Sequence, residues 1–140
     1  MSKLYLVTGA CGHLGNTIIR ILKEQNVAIR GLVLPSENVK SDGQVQYIKG
    51  DVCDRASMEP LFEGTEDQET IVIHTAGIVD ISGTASPVLY NVNVGGTRNI
   101  IELCLEHKVK RLVYVSSVHA IPEKDHAHVL SEVREFSAEA

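Results

Sequence analysis

Three glycines at three-residue intervals constrain this chain more than any other feature. Gly9, Gly12 and Gly15 follow a short apolar run, Leu4 to Val7, and precede a stretch with helical periodicity. A buried strand, a glycine turn and a helix N-terminus, in that order, are what a dinucleotide site requires. Gly9 permits the tight turn, Gly12 lets backbone N–H groups approach a pyrophosphate, and Gly15 lets the helix pack close to the strand. The positive end of that helix then favours phosphate charge.

The other residues of the turn are also candidates for cofactor contacts. Cys11, His13 and Leu14 stand between or beside the glycines. His13 fits either a solvent-facing position near the phosphate or a direct phosphate contact. Cys11 lies where it is accessible, and a small tolerated side chain explains it more simply than a redox role.

Composition excludes several other classes of function. The 140 residues are 44% hydrophobic and 22% charged, which suits one globular domain with a core. The net charge of −5 and the lack of a basic block argue against nucleic acid or an anionic membrane as partner. No apolar run approaches the ~20 residues of a membrane span, and the first residues do not resemble a signal peptide. The three cysteines are widely spaced, so we expect a reducing cytoplasm, no disulfide framework and no metal site.

Apolar runs alternate with helical patterns along the rest of the chain. The strand signals are Leu4–Val7, Val27–Leu34, Val45–Lys49, Thr70–His74 and Arg111–Val115, and the helical signals are about Leu14–Glu24, Arg55–Phe62 and Pro87–His107. This alternation predicts an α/β fold, a Rossmann-type doubly wound parallel sheet of five strands in the order 3-2-1-4-5. We expect residues 1–117 to form the nucleotide-binding domain and 118–140 to form an irregular tail. No sixth strand is evident, so the domain is expected to be truncated.

Two adjacent glycines interrupt the longest helical pattern. Gly95 and Gly96 each weaken a helix by roughly 1 kcal/mol relative to alanine, so a close approach to this helix is expected. Packing of the helix on the sheet and a helix backbone near the cofactor both remain open, and the two are compatible.

Further motifs follow the glycine turn in a fixed order over residues 3–117. They are Thr8-Gly-Ala-Cys-Gly-His-Leu-Gly15, Gly50-Asp-Val-Cys-Asp54, His74-Thr-Ala-Gly77, Asn93-Val-Gly-Gly-Thr97 and Val113-Tyr-Val-Ser-Ser117. In these motifs the chain resembles the amino-terminal half of an extended short-chain dehydrogenase/reductase of the NAD-dependent epimerase/dehydratase type. The stretch from Ser116 to Pro122 looks more like the dihydroflavonol reductase and hydroxysteroid dehydrogenase branch than like the nucleotide-sugar epimerases.

The resemblance implies roles for residues at the ends of strands three, four and five. Asp51 and Val52 would contact adenine, and Asp54 is left as the cap of the following helix. Small residues after strand four would let the backbone reach the ribose beside the nicotinamide, and Asn93 would hold a structural water. Ser117, with Ser116 as the alternative, would polarise the substrate oxygen. The residues after strand four are Thr75, Ala76 and Gly77.

His74 has a different interpretation. It lies within the fourth buried strand, so a hydrogen-bonded core histidine is expected rather than a ligand or a general base.

The catalytic Tyr-x-x-x-Lys pair of the family is absent, because no Tyr follows Tyr114. We therefore expect little or no turnover from these 140 residues. The leading hypothesis is the cofactor domain of an oxidoreductase that moves a hydride to or from a carbonyl or secondary alcohol, with a small-molecule substrate in any full-length form. A nucleotide-sugar epimerase or dehydratase and a non-catalytic dinucleotide-binding module are the alternatives.

Two further questions stay open at the level of sequence. The cofactor is NAD or NADP, and the end of strand two favours NAD weakly, because Leu34 stands where an Arg would suit NADP and Glu37 is the nearest carboxylate. A homo-oligomer is possible, since the family commonly dimerises through long helices.

Overall fold

The computed structural model describes residues 2–76 and 90–115. Five strands run in chain order: β1 Lys3–Thr8, β2 Ala28–Val33, β3 Val45–Lys49, β4 Glu69–His74 and β5 Arg111–Tyr114. The helical segments are α1 His13–Lys23, the 3-10 helices Arg55–Phe62 and Thr65–Asp67, a π-helical turn Asn91–Gly96, and α2 Thr97–Glu106.

All strand pairs are parallel, and the sheet order is β3-β2-β1-β4-β5. The predicted fold class and strand order are therefore confirmed, and each strand lies within one residue of its predicted bounds. Because β1 is central and the chain winds outward from it in both directions, the carboxyl ends of β1 and β4 lie side by side at the switch point of the sheet.

Apolar side chains cover both faces of the sheet, as continuous apolar strands require. Leu4 and Leu6 of β1 pack into one core with the 3-10 helix Arg55–Phe62 and α2. Val7, one residue on, packs into a second core with Ile19 and Leu22 of α1. The alternation of β1 between two cores explains why nearly every residue of this strand is apolar.

The second helical segment differs from the expectation in type and in capping. Arg55–Phe62 is a 3-10 helix that contains Pro60, whose missing N–H removes one intrahelical donor. The prediction that the Asp54 carboxylate caps it is wrong, because that side chain makes no capping hydrogen bond. Ser57 supplies the contacts instead: its hydroxyl accepts from the Asp51 N–H at 2.9 Å and donates to the Asp54 carbonyl at 2.7 Å.

The third predicted helix, about Pro87–His107, is described from Tyr90 onward, and its described part contains the π-helical turn and α2. A Cβ on Gly96 would lie 2.6 Å from Val52 Cγ2, so packing explains this glycine, as predicted. Gly95 has no described atom within 4 Å of the place its Cβ would take, so packing does not explain it. The predicted start of the helix at Pro87 lies outside the described residues.

Among residues 2–76 and 90–115, none of the helices combines the length and apolar character needed to cross a bilayer.

Candidate functional site

The glycine turn after β1 has a geometry that excludes larger residues at two positions. Gly9 has a φ of +63°, which L-residues rarely adopt, and its Cβ would lie 2.8 Å from Thr75 Oγ1. A Cβ on Gly15 would overlap the carbonyl oxygen of Gly9. The turn is therefore pressed between the end of β4 on one side and the first turn of α1 on the other.

The N-terminus of α1 is open. Gly12 occupies the N-cap position with φ −71° and ψ 166°, no side chain caps the helix, and the first turn contains no acidic residue. The N–H groups of His13, Leu14 and Gly15 have no intrahelical acceptor, because they belong to the first turn. These donors and the helix dipole make the end of α1 suitable for an anion.

A cavity of about 280 Å³ opens beside this helix end, across the carboxyl ends of β1, β2 and β3. Six of the predicted cofactor residues line it: Gly9, Cys11, Gly12, Asp51, Val52 and Ala76. Its wall also includes Leu34, Glu37 and Val92, which the sequence-based site did not include.

The remaining predicted site residues lie around the cavity or outside the described ranges. His13 and Leu14 are exposed at the start of α1, and Gly15 is buried behind the turn. Thr75 donates its hydroxyl to the Thr8 carbonyl at 2.6 Å, and Asn93 lies in the π-helical turn. Gly77, Ser116 and Ser117 are not among the described residues.

The loop after β3 supplies a carboxylate and an apolar surface to the cavity. Asp51 Oδ1 accepts a hydrogen bond from the Cys53 N–H at 2.9 Å, which fixes the carboxylate within its own turn. Val52 is buried against Gly96, and its carbonyl accepts from Asn99 Nδ2 at 2.8 Å. The structure therefore holds Asp51 through its own turn and Val52 through the neighbouring helical segment.

Glu37 is a cavity residue that the site prediction left out. Its carboxylate turns back toward the end of β2, where Oε1 accepts from the Leu34 N–H at 2.9 Å. The sequence signal for it was a carboxylate three residues beyond Leu34. Partial burial, then a hydrogen bond to Glu37 and its negative charge, raise the pKa of the Cys11 thiol to about 11. Cys11 is thus a protonated thiol at neutral pH, although the residue is exposed.

A buried histidine at the end of β4 connects the end of β1 to the start of α2. His74 is 1% exposed, Nδ1 lies 2.7 Å from Thr8 Oγ1, and Nε2 lies 3.0 Å from Thr97 Oγ1. Burial lowers the pKa of His74 to about 4. The prediction of a hydrogen-bonded core histidine is confirmed. Its two threonine partners could not be read from the sequence, because they lie 66 and 23 residues away.

Fold and site together define the chain as a Rossmann-type domain of the short-chain dehydrogenase/reductase class. The model of the 3-beta hydroxysteroid dehydrogenase/isomerase family matches residues 6–137, and the chain belongs to this family. The resemblance to the hydroxysteroid dehydrogenase branch is therefore confirmed.

Relatives of known name agree with this assignment. The chain is 38% identical over 127 residues to 3 beta-hydroxysteroid dehydrogenase type 7 of Mus musculus, covering 84% of the chain and 33% of the relative. It is 36% identical over 118 residues to sterol demethylase protein B of Methylococcus capsulatus, covering 83% and 35%. The chain thus spans about a third of the length of these curated relatives.

Solved structures share the fold. UDP-glucose 4-epimerase of Thermus thermophilus, in complex with NAD, matches with a TM-score of 0.77 and 27% identity, over 92% of this chain and 42% of that one. A variant of uronate dehydrogenase from Agrobacterium tumefaciens, also complexed with NAD, matches with a TM-score of 0.70 and 25% identity, over 86% and 43%.

Proposed function

We propose that residues 1–117 bind a nicotinamide dinucleotide, with the pyrophosphate at the N-terminus of α1. The observation that carries the proposal is the uncapped helix end beside the Gly9–Gly12 turn, which opens into a cavity of about 280 Å³. The adenosine half would lie toward Asp51 and Val52, and the nicotinamide half toward Thr75, Ala76, Gly77 and Asn93. The NAD complexes among the structural relatives support a nicotinamide dinucleotide as the ligand.

NAD is the cofactor that the end of β2 favours. Glu37 places a carboxylate at the cavity wall, where it suits ribose hydroxyls and repels a 2′-phosphate. Arg30, the cation that an NADP site would use, is committed elsewhere: its guanidinium donates to the carbonyls of Leu61 and Glu63 at 2.9 and 2.7 Å. No arginine is among the described residues that line the cavity with Glu37.

The whole protein is proposed to be an oxidoreductase that transfers a hydride between the nicotinamide and a carbonyl or secondary alcohol. The hydroxysteroid dehydrogenases among the relatives support this reaction class over sugar epimerisation. Ser117 would polarise the reacting oxygen. The 140-residue chain has no Tyr-x-x-x-Lys pair after Tyr114, so we expect it to bind cofactor with little or no turnover. Its three cysteines are free among the described residues, which suits a reducing cytoplasm.

The substitution Gly12→Asp separates cofactor binding from folding. Gly12 has the extended backbone of an N-cap, where the Asp carboxylate can cap α1 and is worth a few tenths of a kcal/mol more than Gly. The new Cβ would lie 3.2 Å from the Gly9 carbonyl oxygen, a tight contact that a small shift relieves. The same carboxylate would stand where the pyrophosphate is proposed to bind. We expect the wild-type melting temperature to rise with NADH concentration, and Gly12→Asp to abolish that rise without lowering the melting temperature of the free protein.

Gly43→Asp is the matched control, because it adds the same charge at a loop glycine with open space around it. It should bind NADH as the wild type does. A smaller rise of the melting temperature with NADPH than with NADH would support the choice of NAD, as would a smaller difference between the two cofactors in Glu37→Gln. Saturable NADH binding by Gly12→Asp would overturn the proposed pyrophosphate position.

We also propose that the chain self-associates through the outer face of the π-helical turn and α2. Four apolar side chains on these segments are exposed, with Leu105 at 74% and Tyr90 at 60%: Tyr90, Val94, Ile101 and Leu105. Exposed apolar faces of this kind mark association surfaces. Light scattering should give a dimer or larger species that Leu105→Glu converts to monomer. A wild-type monomer at high concentration would contradict the proposal.

A further inference from the structure

We propose that His74 is a positioning residue, which locks the backbone turn after β4 to the π-helical turn carrying Asn93 through a one-directional chain of hydrogen bonds. The inference rests on the proposed function only in its consequence for cofactor binding. The hydrogen bonds themselves form within the protein without a bound cofactor.

The direction of the chain follows from how many bonds each atom can make. Thr8 Oγ1 accepts the backbone N–H groups of Thr75 at 3.0 Å and Ala76 at 3.1 Å. Both lone pairs of this hydroxyl are then used, so its single proton is left to donate to His74 Nδ1 at 2.7 Å. Nδ1 must therefore be the unprotonated nitrogen of a neutral imidazole.

The second half of the chain runs from His74 into the helix. A neutral imidazole without a proton on Nδ1 carries it on Nε2, which donates to Thr97 Oγ1 at 3.0 Å. The Thr97 hydroxyl donates in turn to the Asn93 carbonyl at 2.7 Å. Each proton in the series of hydrogen bonds thus has a single acceptor. No buried side-chain N or O atom among the described residues lacks a hydrogen-bond partner.

The series of hydrogen bonds ends at two backbone elements, the turn after β4 and the π-helical turn. At one end are the Thr75 and Ala76 amides, which border the Gly9 turn and the cavity. At the other end is a π-helical turn, a local departure from the α-helix that often occurs at functional sites. His74 links these two elements, so a shift of the helix at Asn93 would displace the backbone turn after β4 through these hydrogen bonds.

A protonated His74 is incompatible with this arrangement. A proton on Nδ1 would face Thr8 Oγ1, whose lone pairs are already occupied by two amides. The imidazole must therefore stay neutral for the chain to exist, and the Nε2–H tautomer is the signature that identifies it.

Nitrogen-15 NMR of the histidine rings in the 140-residue protein tests this hydrogen-bond arrangement directly. We expect His74 to show the neutral Nε2–H tautomer, unchanged from pH 5.5 to pH 8. An Nδ1–H tautomer, or titration within that range, would overturn the inference.

Thr97→Val tests the coupling, because it removes the link between His74 and Asn93 at almost constant shape. We expect faster hydrogen exchange at the Thr75 and Ala76 amides, on the far side of the imidazole, and roughly tenfold weaker NADH binding. Thr97→Ser keeps the hydroxyl and should restore both. Thr70→Val is the matched control, since it removes a buried β4 hydroxyl that donates to Thr65 instead.

The outcomes separate this inference from the proposed function. Unchanged exchange at Thr75 and Ala76 in Thr97→Val would overturn the positioning role. Faster amide exchange in Thr97→Val, together with no dinucleotide binding by the wild-type protein, would support the positioning role and refute the proposed function. Accelerated exchange with equal NADH affinity in Thr97→Val and Thr97→Ser would refute the consequence for binding.

Discussion

At the scale of single residues, the Cys11 thiol reports on the carboxylate beside it. Burial and the hydrogen bond and charge of Glu37 raise the pKa of Cys11 to about 11, so only a small fraction is thiolate at pH 8. We predict that iodoacetamide modifies Cys11 slowly despite its exposure, and that Glu37→Gln accelerates the modification several-fold, because it removes the negative charge. Peptide mapping by mass spectrometry at fixed pH measures both rates.

Cys53 provides an internal control for this experiment. It is also exposed, and burial followed by the charge and hydrogen bond of Asp51 raises its pKa, but Glu37 plays no part there. Its rate should be the same in wild type and Glu37→Gln. Equal rates at Cys11 in the two proteins would mean that Glu37 does not face the thiol. Slow modification also argues against a redox role for Cys11, in line with its interpretation as a small tolerated side chain.

At the scale of elements, the adjacent glycines of the third helix should respond to alanine with opposite signs. A Cβ on Gly96 would lie 2.6 Å from Val52 Cγ2, and overpacking of this kind costs about 1–3 kcal/mol. Among the described residues nothing crowds the place that a Gly95 Cβ would take, so alanine there should gain up to about 1 kcal/mol from helix propensity. Urea denaturation should show Gly96→Ala destabilised and Gly95→Ala unchanged or stabilised.

Val52→Ala tests the cause assigned to Gly96. If the clash is with the Val52 side chain, the double variant should be more stable than the sum of the two single changes predicts. Strict additivity would mean that Gly96 is needed for another reason, such as the π-helical geometry itself.

The same segments show which parts of the structure the sequence could predict. Strand positions and sheet order followed from apolar runs and from the handedness of parallel crossovers, which are local or general constraints. The 3-10 form of Arg55–Phe62, the π-helical turn at Asn91–Gly96 and the return of Glu37 onto the end of β2 depend on contacts between distant segments. The motif at Asn93 predicted a site residue but carried no signal for the helix type of that segment.

At the scale of the whole molecule, two histidines at opposite ends of the sheet should shape the pH dependence of stability. Burial lowers the pKa of His74 to about 4 from 6.5, so between these pH values the unfolded protein binds a proton at His74 and the folded protein does not. Stability from the neutral form is complete above pH 6.5 and is lost as pH falls toward 4. The loss between pH 7 and pH 4.5 should be about 2.5 kcal/mol.

His74→Asn should remove this slope, whatever its absolute stability. Backbone hydrogen bonds from Val45 and Gln44, then Lys23, lower the pKa of Asp42 to about 2, so its contribution is lost mainly in stronger acid. Hydrogen bonds to His107 and Lys110 lower the pKa of Glu66 and of Glu69 from 4.5, so these two groups act only at the acid end of the window. An unaltered slope between pH 7 and pH 4.5 in His74→Asn would assign the acid sensitivity to other groups.

His107 should produce the opposite slope on the alkaline side. It lies at the end of α2, stacked on Phe62, with Nδ1 2.7 Å from Glu66 and Nε2 3.4 Å from Glu59. Burial lowers its pKa, but the hydrogen bonds and charges of Glu66 and Glu59 outweigh burial and raise it overall. A raised pKa contributes stability that is complete below pH 6.5 and is lost as pH rises through the folded value.

The two effects together predict a maximum of stability near neutral pH, with each side controlled by a different residue. His107→Gln should flatten the fall above pH 6.5, with a small change only near pH 4.5, because the hydrogen bond to His107 also lowers the pKa of Glu66. His74→Asn should flatten the fall on the acid side and leave the alkaline side unchanged. Urea denaturation of the three proteins from pH 4.5 to pH 9 measures both sides. Because His107 does not line the cavity, NADH should stabilise wild type and His107→Gln by the same amount at each pH. A change of NADH affinity in His107→Gln would show that the two ends of the sheet are coupled.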